Sequence, residues 1–274
     1  MLSVNTNTGA MIALQYLNKT NNDLMTTQSH INSGLKVANP KDNGAVYAIA
    51  QNMRGNVMGY ASVRDSLNRG SSTVDVAISA GQSISDLLNE LKAKALAAAD
   101  ASLDAASRAA MNADFTALRD QITTIVQNAS FNGVNLVDGT TANIQALASA
   151  DGSKKITVTG QTLSLSGSIV TLTSTGTIST TAKASTMIST INTSIQNVNA
   201  SLAKLASGVK KFMIQSSFVA KLVDTLQAGI GNLVDADMAV EAAKLQSLQV
   251  KQQLGVQALA IANAAPSITL SLFR

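Results

Sequence analysis

Chemistry in this chain would have to come from one histidine and a few carboxylates, because His30 is the single histidine and cysteine is absent. Without Cys there is no thiol nucleophile, no disulfide framework and no thiolate metal site, and a lone His rules out a multi-histidine metal centre. A Ser-His-Asp triad using His30 would have to be assembled on a segment that reads as a smooth helix, so His30 is expected on a helix surface. Asp235 and Asp237 resemble a carboxylate pair for acid-base work. Side chains two apart on a helix point to different faces, however, and capping of a helix N-terminus explains them better. Glu241 and Lys244 have the three-residue spacing of a local helical ion pair. No GxxxxGK[ST] phosphate loop occurs, and no GxGxxG follows a buried strand. The expectation is a protein that is not an enzyme, with no cofactor and no metal.

What remains is structure. Charged residues make up 13% of the 274 positions and the net charge is +4, with Lys154-Lys155 and Lys210-Lys211 as isolated pairs, so the basic face of a nucleic-acid binder is missing. No run of about 18 apolar residues occurs, which excludes a membrane-spanning helix. The segment MLSVNTNTGAMIALQYLNKTNND lacks a basic start followed by an unbroken apolar run, so any export is expected without a cleaved leader of the usual kind. Aromatic residues are only 3% and Trp is absent, leaving Ala, Leu, Ile, Val and Met to form the core, a set suited to helix-helix seams.

The periodicity agrees. Leu14, Leu17, Leu24, Ile31 and Leu35, with polar Asn21 and Gln28 completing the three-four alternation, read as a heptad seam. Asn39 before Pro40 predicts the N-cap of a second helix reaching about Ala99, in which scattered glycines need close helix contacts as their packing reason. Ala105 to Asn128 carries a third apolar stripe. Asn132-Gly133 and Asp138-Gly139 then mark turns. Residues 140–182 change character: Ile156 to Val158 and Leu163 to Leu165 alternate apolar with polar and predict short strands. More than half the residues from Thr157 to Ser194 are Ser or Thr. The reading is an exposed hydroxyl-rich surface, with Thr162, Ser164, Ser166, Ser168, Thr171 and Thr173 as candidate carriers of O-linked sugars. The seam returns at Ile191, Ile195, Val198, Leu202, Leu205, Val209 and Phe212, is expected to break at Gly229 to Asn232, and resumes through Leu245, Leu248 and Leu259 in a helix ending before Pro266. The predicted fold is mainly α: a long antiparallel helical hairpin, or coiled coil, formed by both termini, with a small β-hairpin region in the middle.

Three stretches carry a family resemblance. INSGLKVANPKDNGAVYAIAQNMRGNV (31–57), SFNGVNLVDG (130–139) and the whole of 232–274 resemble bacterial flagellins, in the family's order, and most closely the short alphaproteobacterial form without large outer domains. The resemblance implies a self-polymerising structural subunit of the extracellular flagellar filament. Its implied partners are copies of itself and paralogous flagellins, the flagellar secretion apparatus, an export chaperone, the filament cap and the hook-junction proteins. It further implies an inner domain of residues 1–38 with 233–274, an outer helical domain of 39–139 with 183–232, and a surface region of 140–182. The seam residues Leu14 to Leu35, Ile191 to Val209 and Leu245 to Leu259 then become polymerisation seams. A hook-filament junction protein of the same superfamily is the near alternative. A secreted membrane-active coiled coil is disfavoured, since it would need a long apolar hairpin.

Overall fold

The structure, a computed structural model, describes residues 6–271. In chain order it contains α1 (Thr8–Ser33), α2 (Gly44–Ala98), α3 (Ala105–Asn128), β1 (Ser130–Phe131), β2 (Val134–Asn135), β3 (Asn143–Leu147), β4 (Lys155–Thr159), α4 (Thr181–Val234) and α5 (Met238–Ser271). Two compact units form: one from the chain up to Gly55 together with the chain from Thr225 onward, the other from Asn56 to Asp224. Helices α2 and α4 continue through both divisions.

In the unit of residues 56–224, α2 buries Val63, Leu67, Val74, Ala77, Ile84, Leu88, Leu91, Ala95 and Ala98. With Gly70 and Gly81 filling the gaps, these positions repeat at four and three residues over the whole segment. The two glycines admit neighbours from α4: a Cβ at Gly70 would meet the Phe212 ring at 3.2 Å, and one at Gly81 would meet Leu202 Cδ2 at 2.7 Å. In α3, Phe115, Ile122 and Val126 are buried as the stripe predicts, and Arg119 is buried among them. Its Nη1 donates to the Gly176 carbonyl at 2.7 Å, while Nε and Nη2 donate to Asp120, so the guanidinium holds the segment before α4 against α3.

The strands form two small antiparallel pairs. Asn132 and Gly133 take left-handed conformations at the β1–β2 turn, matching the Asn-Gly signal. β3 pairs β4, with Ile144 opposite Val158 and Ala146 opposite Ile156. Leu163 to Leu165 is not a strand. Its backbone instead bonds irregularly, Leu163 N to the Val137 carbonyl, while Leu163, Val170, Leu172 and Ile178 are buried in the core. Alternation alone did not distinguish a strand from a loop that buries every second side chain.

Four further expectations are corrected. α2 begins at Gly44, not at Pro40: Asn43 Oδ1 accepts from Val46 N, whereas Asn39 Oδ1 accepts from Lys41 N and closes a local turn before the helix. Leu35 lies outside α1, which ends at Gly34 in the left-handed conformation, and Leu35 bridges to Asp235 as a short antiparallel contact. α4 runs unbroken through Gly229 to Asn232. There a Cβ at Gly229 would lie 3.0 Å from Met53 Cε, a close approach that offsets the helix cost of glycine. Finally, α5 passes through Pro266 to Ser271.

Candidate functional site

In the unit of residues up to 55 and from 225 onward, α1 pairs with α5. As α1 residue numbers rise, their α5 partners fall, so the pair is antiparallel: Asn7 Nδ2 donates to the Ala262 carbonyl (2.7 Å), Gln252 Nε2 donates to Asn21 Oδ1 (2.8 Å), and His30 Nδ1 donates to Glu241 Oε1 (3.1 Å). Each rung bonds a polar group to one specific opposite residue, so together they set one register. Asn21, a polar position in the predicted seam, therefore finds its partner within the chain. Gln28 is exposed. His30 is not a surface histidine: its side chain is 13% exposed, against Glu241, whose other oxygen lies 3.9 Å from Lys244 Nζ.

Asn7 does two things. Its Oδ1 accepts from Ala10 N and caps α1, while its Nδ2 fills the Ala262 carbonyl. That carbonyl is four residues before Pro266, whose nitrogen has no hydrogen to donate to it. A side chain from α1 thus replaces the hydrogen bond that proline removes from α5, which answers why the helix does not stop there.

The seam residues divide between two faces. Leu17, Leu24 and Ile31 are half-buried toward α5, and Leu17 Cδ1 lies 3.2 Å from where a Cβ on Gly255 would sit. Leu248 is buried, while Leu245 and Leu259 are half-buried. Leu14 is 47% exposed, on the side of α1 that carries exposed Met11 and Met25. On α5, Val250, Leu254 and Ile261 are all more than half exposed. At 100° per residue they fall within about 40° of one another, roughly opposite Leu245, Leu248 and Leu259. α5 is therefore apolar on two faces, of which the chain covers one.

The α4 seam is arranged differently from its sequence reading. Ile191, Val198, Leu205 and Phe212 are buried as expected, but Ile195, Leu202 and Val209 are only half-buried. The fully buried positions beside them are Ser194, Ser201 and Gly208, seven residues apart. Their small size admits the irregular segment and the hairpin: Ser194 Oγ bonds Thr171 N at 3.0 Å, and a Cβ on Gly208 would lie 2.6 Å from Val158 Cγ1. Small residues at a heptad interval were the missed signal. Among the candidate sugar carriers, Thr162, Ser166, Ser168 and Thr173 are exposed. Ser164 is half-buried, and Thr171 is half-buried with its hydroxyl donating to the Thr190 carbonyl. No group of three or more His, Cys, Asp or Glu that could hold a metal occurs among the described residues.

Paired terminal helices with an uncovered apolar face, and a second unit that carries a small hairpin, match known proteins. The N-terminal helical region of bacterial flagellin matches residues 4–142 and the C-terminal helical region matches 181–273. The chain belongs to the bacterial flagellin family. It is similar to Flagellin FljK of Caulobacter vibrioides, 54% identical over 99% of this chain and 98% of the relative. Flagellin of Brucella melitensis is 33% identical over the whole of both. Among solved structures, Bacillus cereus flagellin (TM-score 0.51, 22% identity) covers 56% of this chain and 88% of its own. A putative flagellar hook-associated protein from Vibrio parahaemolyticus (TM-score 0.59, 12% identity) covers 71% and 100%. These two share the fold. As a flagellin the chain is a structural subunit of the flagellar filament, and no described helix is long and apolar enough to cross a membrane.

Proposed function

We propose that the polymer is built through the apolar faces of α1 and α5 that the single chain leaves open. The observation carrying this is the stripe of Val250, Leu254 and Ile261, roughly opposite the face that α5 presents to α1. A helix apolar on both sides is stable in water only when both are covered, and copies of the same chain supply matching surfaces. In this reading residues 1–38 with 233–274 line the filament interior, 39–139 with 183–232 form an outer helical layer, and 140–182 lies on its surface. Leu17, Leu24, Ile31, Leu245, Leu248 and Leu259 close the hairpin of one subunit, while Leu14 and the α5 stripe meet neighbours.

The assembled chain works outside the cell, its function being mechanical: small shifts between quasi-equivalent contacts change filament curvature. Family membership supports export through the flagellar secretion apparatus with a chaperone, growth under a cap, attachment to hook-junction proteins and mixing with paralogous flagellins. O-linked sugars belong on Thr162, Ser166, Ser168 and Thr173, the exposed residues of the candidate set. A mass increase on peptides containing these residues, from filaments sheared off cells, is the expected result.

Seeded polymerisation tests the seam. Leu254→Lys with Ile261→Lys is expected to abolish elongation from filament seeds while the melting of the 56–224 unit is unchanged. Elongation at the wild-type rate would refute the assignment. A junction protein would differ in adding to filament ends without extending them.

A further inference from the structure

Of the eight methionines among the described residues, five stand well exposed: Met58 at 74%, Met213 at 64%, Met25 at 60%, Met11 at 56% and Met238 at 45%. Met53, Met111 and Met187 are half-buried. The chain has no Cys and no Trp, so thioether sulfur is its most readily oxidised group. Met11 and Met25 share the open side of α1 with exposed Leu14, all three within about 60° of one another around the helix.

We propose that Met11 and Met25 are reversible oxidation sites through which a peroxide-class oxidant withdraws the free subunit from polymerisation. The inference rests on the seam reading above. The sulfur lone pair attacks one peroxide oxygen, the O–O bond breaks, an S–O bond forms, and the second oxygen leaves as water with both protons. Sulfur is oxidised by two electrons and peroxide is reduced by two. The product is a polar sulfoxide in place of a flexible apolar side chain. In the lone chain that oxygen is solvated at no cost. On a face that must be dehydrated against a neighbour, it loses its water unless a donor happens to lie opposite. Methionine sulfoxide reductases reverse the change.

The test treats purified full-length chain with hydrogen peroxide, quenches it with catalase, maps each methionine by peptide mass, and measures elongation from unoxidised seeds. The five exposed methionines should oxidise before Met53, Met111 and Met187, and elongation should slow by about tenfold or more, the factor equivalent to one desolvated polar group. Reduction by a mixture of both sulfoxide reductases should restore it. A chain with Met11→Leu and Met25→Leu should elongate equally before and after peroxide, although Met58, Met213 and Met238 still oxidise. Oxidised wild-type chain that elongates at the untreated rate overturns the proposal, as does a slowing that the reductases leave in place. Untreated wild-type chain that fails to elongate overturns the seam reading itself, and this inference with it.

Discussion

At the tip of the β3–β4 hairpin, Asp151 accepts hydrogen bonds from the Ser149 hydroxyl and from the backbone N–H and hydroxyl of Ser153. These bonds, the Ser149 hydroxyl first, hold its carboxyl down to about 2 from the ordinary 3.8. The depressed value means the ionised form favours the turn: that contribution is complete above the ordinary value and is lost as pH falls through about 2. An NMR titration of the Asp151 carboxyl carbon should show its midpoint near 2. Asp151→Ala, which removes the acceptor, should leave the Ser153 amide exchanging freely with solvent at neutral pH. Gly208 is the second informative residue. A methyl there would press on the branched, stiff Val158 side chain at 2.6 Å and 2.9 Å. Gly208→Ala is therefore expected to cost about 1–3 kcal/mol through overpacking, read as a lower melting temperature. Ser207→Ala, at an exposed neighbouring position, is expected to change little.

Among the elements, α5 departs furthest from its sequence reading, because a proline that ordinarily ends a helix lies inside it. The remedy is external: Asn7 donates to the carbonyl that Pro266 leaves without an intrahelical partner. This predicts a coupling. Asn7→Ala should destabilise assembled filaments through the lost cap and the orphaned carbonyl together, about 1–2 kcal/mol. In a Pro266→Ala background residue 266 supplies its own N–H, and the penalty of Asn7→Ala should shrink toward the cap contribution alone. A double-mutant cycle on the thermal dissociation of filaments measures the difference, and purely additive effects would exclude the link. α4 carries the complementary lesson. Its period of four and three was readable, while the choice of Ser194, Ser201 and Gly208 over Ile195, Leu202 and Val209 for full burial depended on what packs against the helix.

For the whole molecule, the two compact units divide the apolar residues unequally. The 56–224 unit encloses its core, with Leu67, Ile84, Phe115, Ile122, Leu163, Leu172 and Phe212 fully buried. In the other unit Val37, Ala50, Val234 and Leu248 are the buried apolar residues among those described, and α1 and α5 each keep one side covered and one open. A helix pair with so little enclosed surface relies on assembly for its stability. Deleting residues 1–35, or residues 235–274, should leave the cooperative thermal transition of the 56–224 unit in place while abolishing seeded elongation. Circular dichroism melts and electron microscopy on the same samples check both halves, and filaments from either truncation would defeat the prediction.

The sequence by itself determined that the chain is mainly helical and its family: seams spaced four and three predict helices whatever they pack against, Asn132-Gly133 predicts its turn by backbone sterics, and three long motifs in order identify a flagellin. One histidine and no cysteine also bounded which side-chain chemistry any fold of this chain could assemble. Only the tertiary structure decided which side of each seam is covered, because burial depends on a partner far away in the chain. Leu14 turned outward and Leu17 inward on the same helix; Asn21, His30 and Asn7 found Gln252, Glu241 and the Ala262 carbonyl more than two hundred residues on. Those pairings are set by the antiparallel register of α1 and α5, a long-range property that local periodicity permits without specifying.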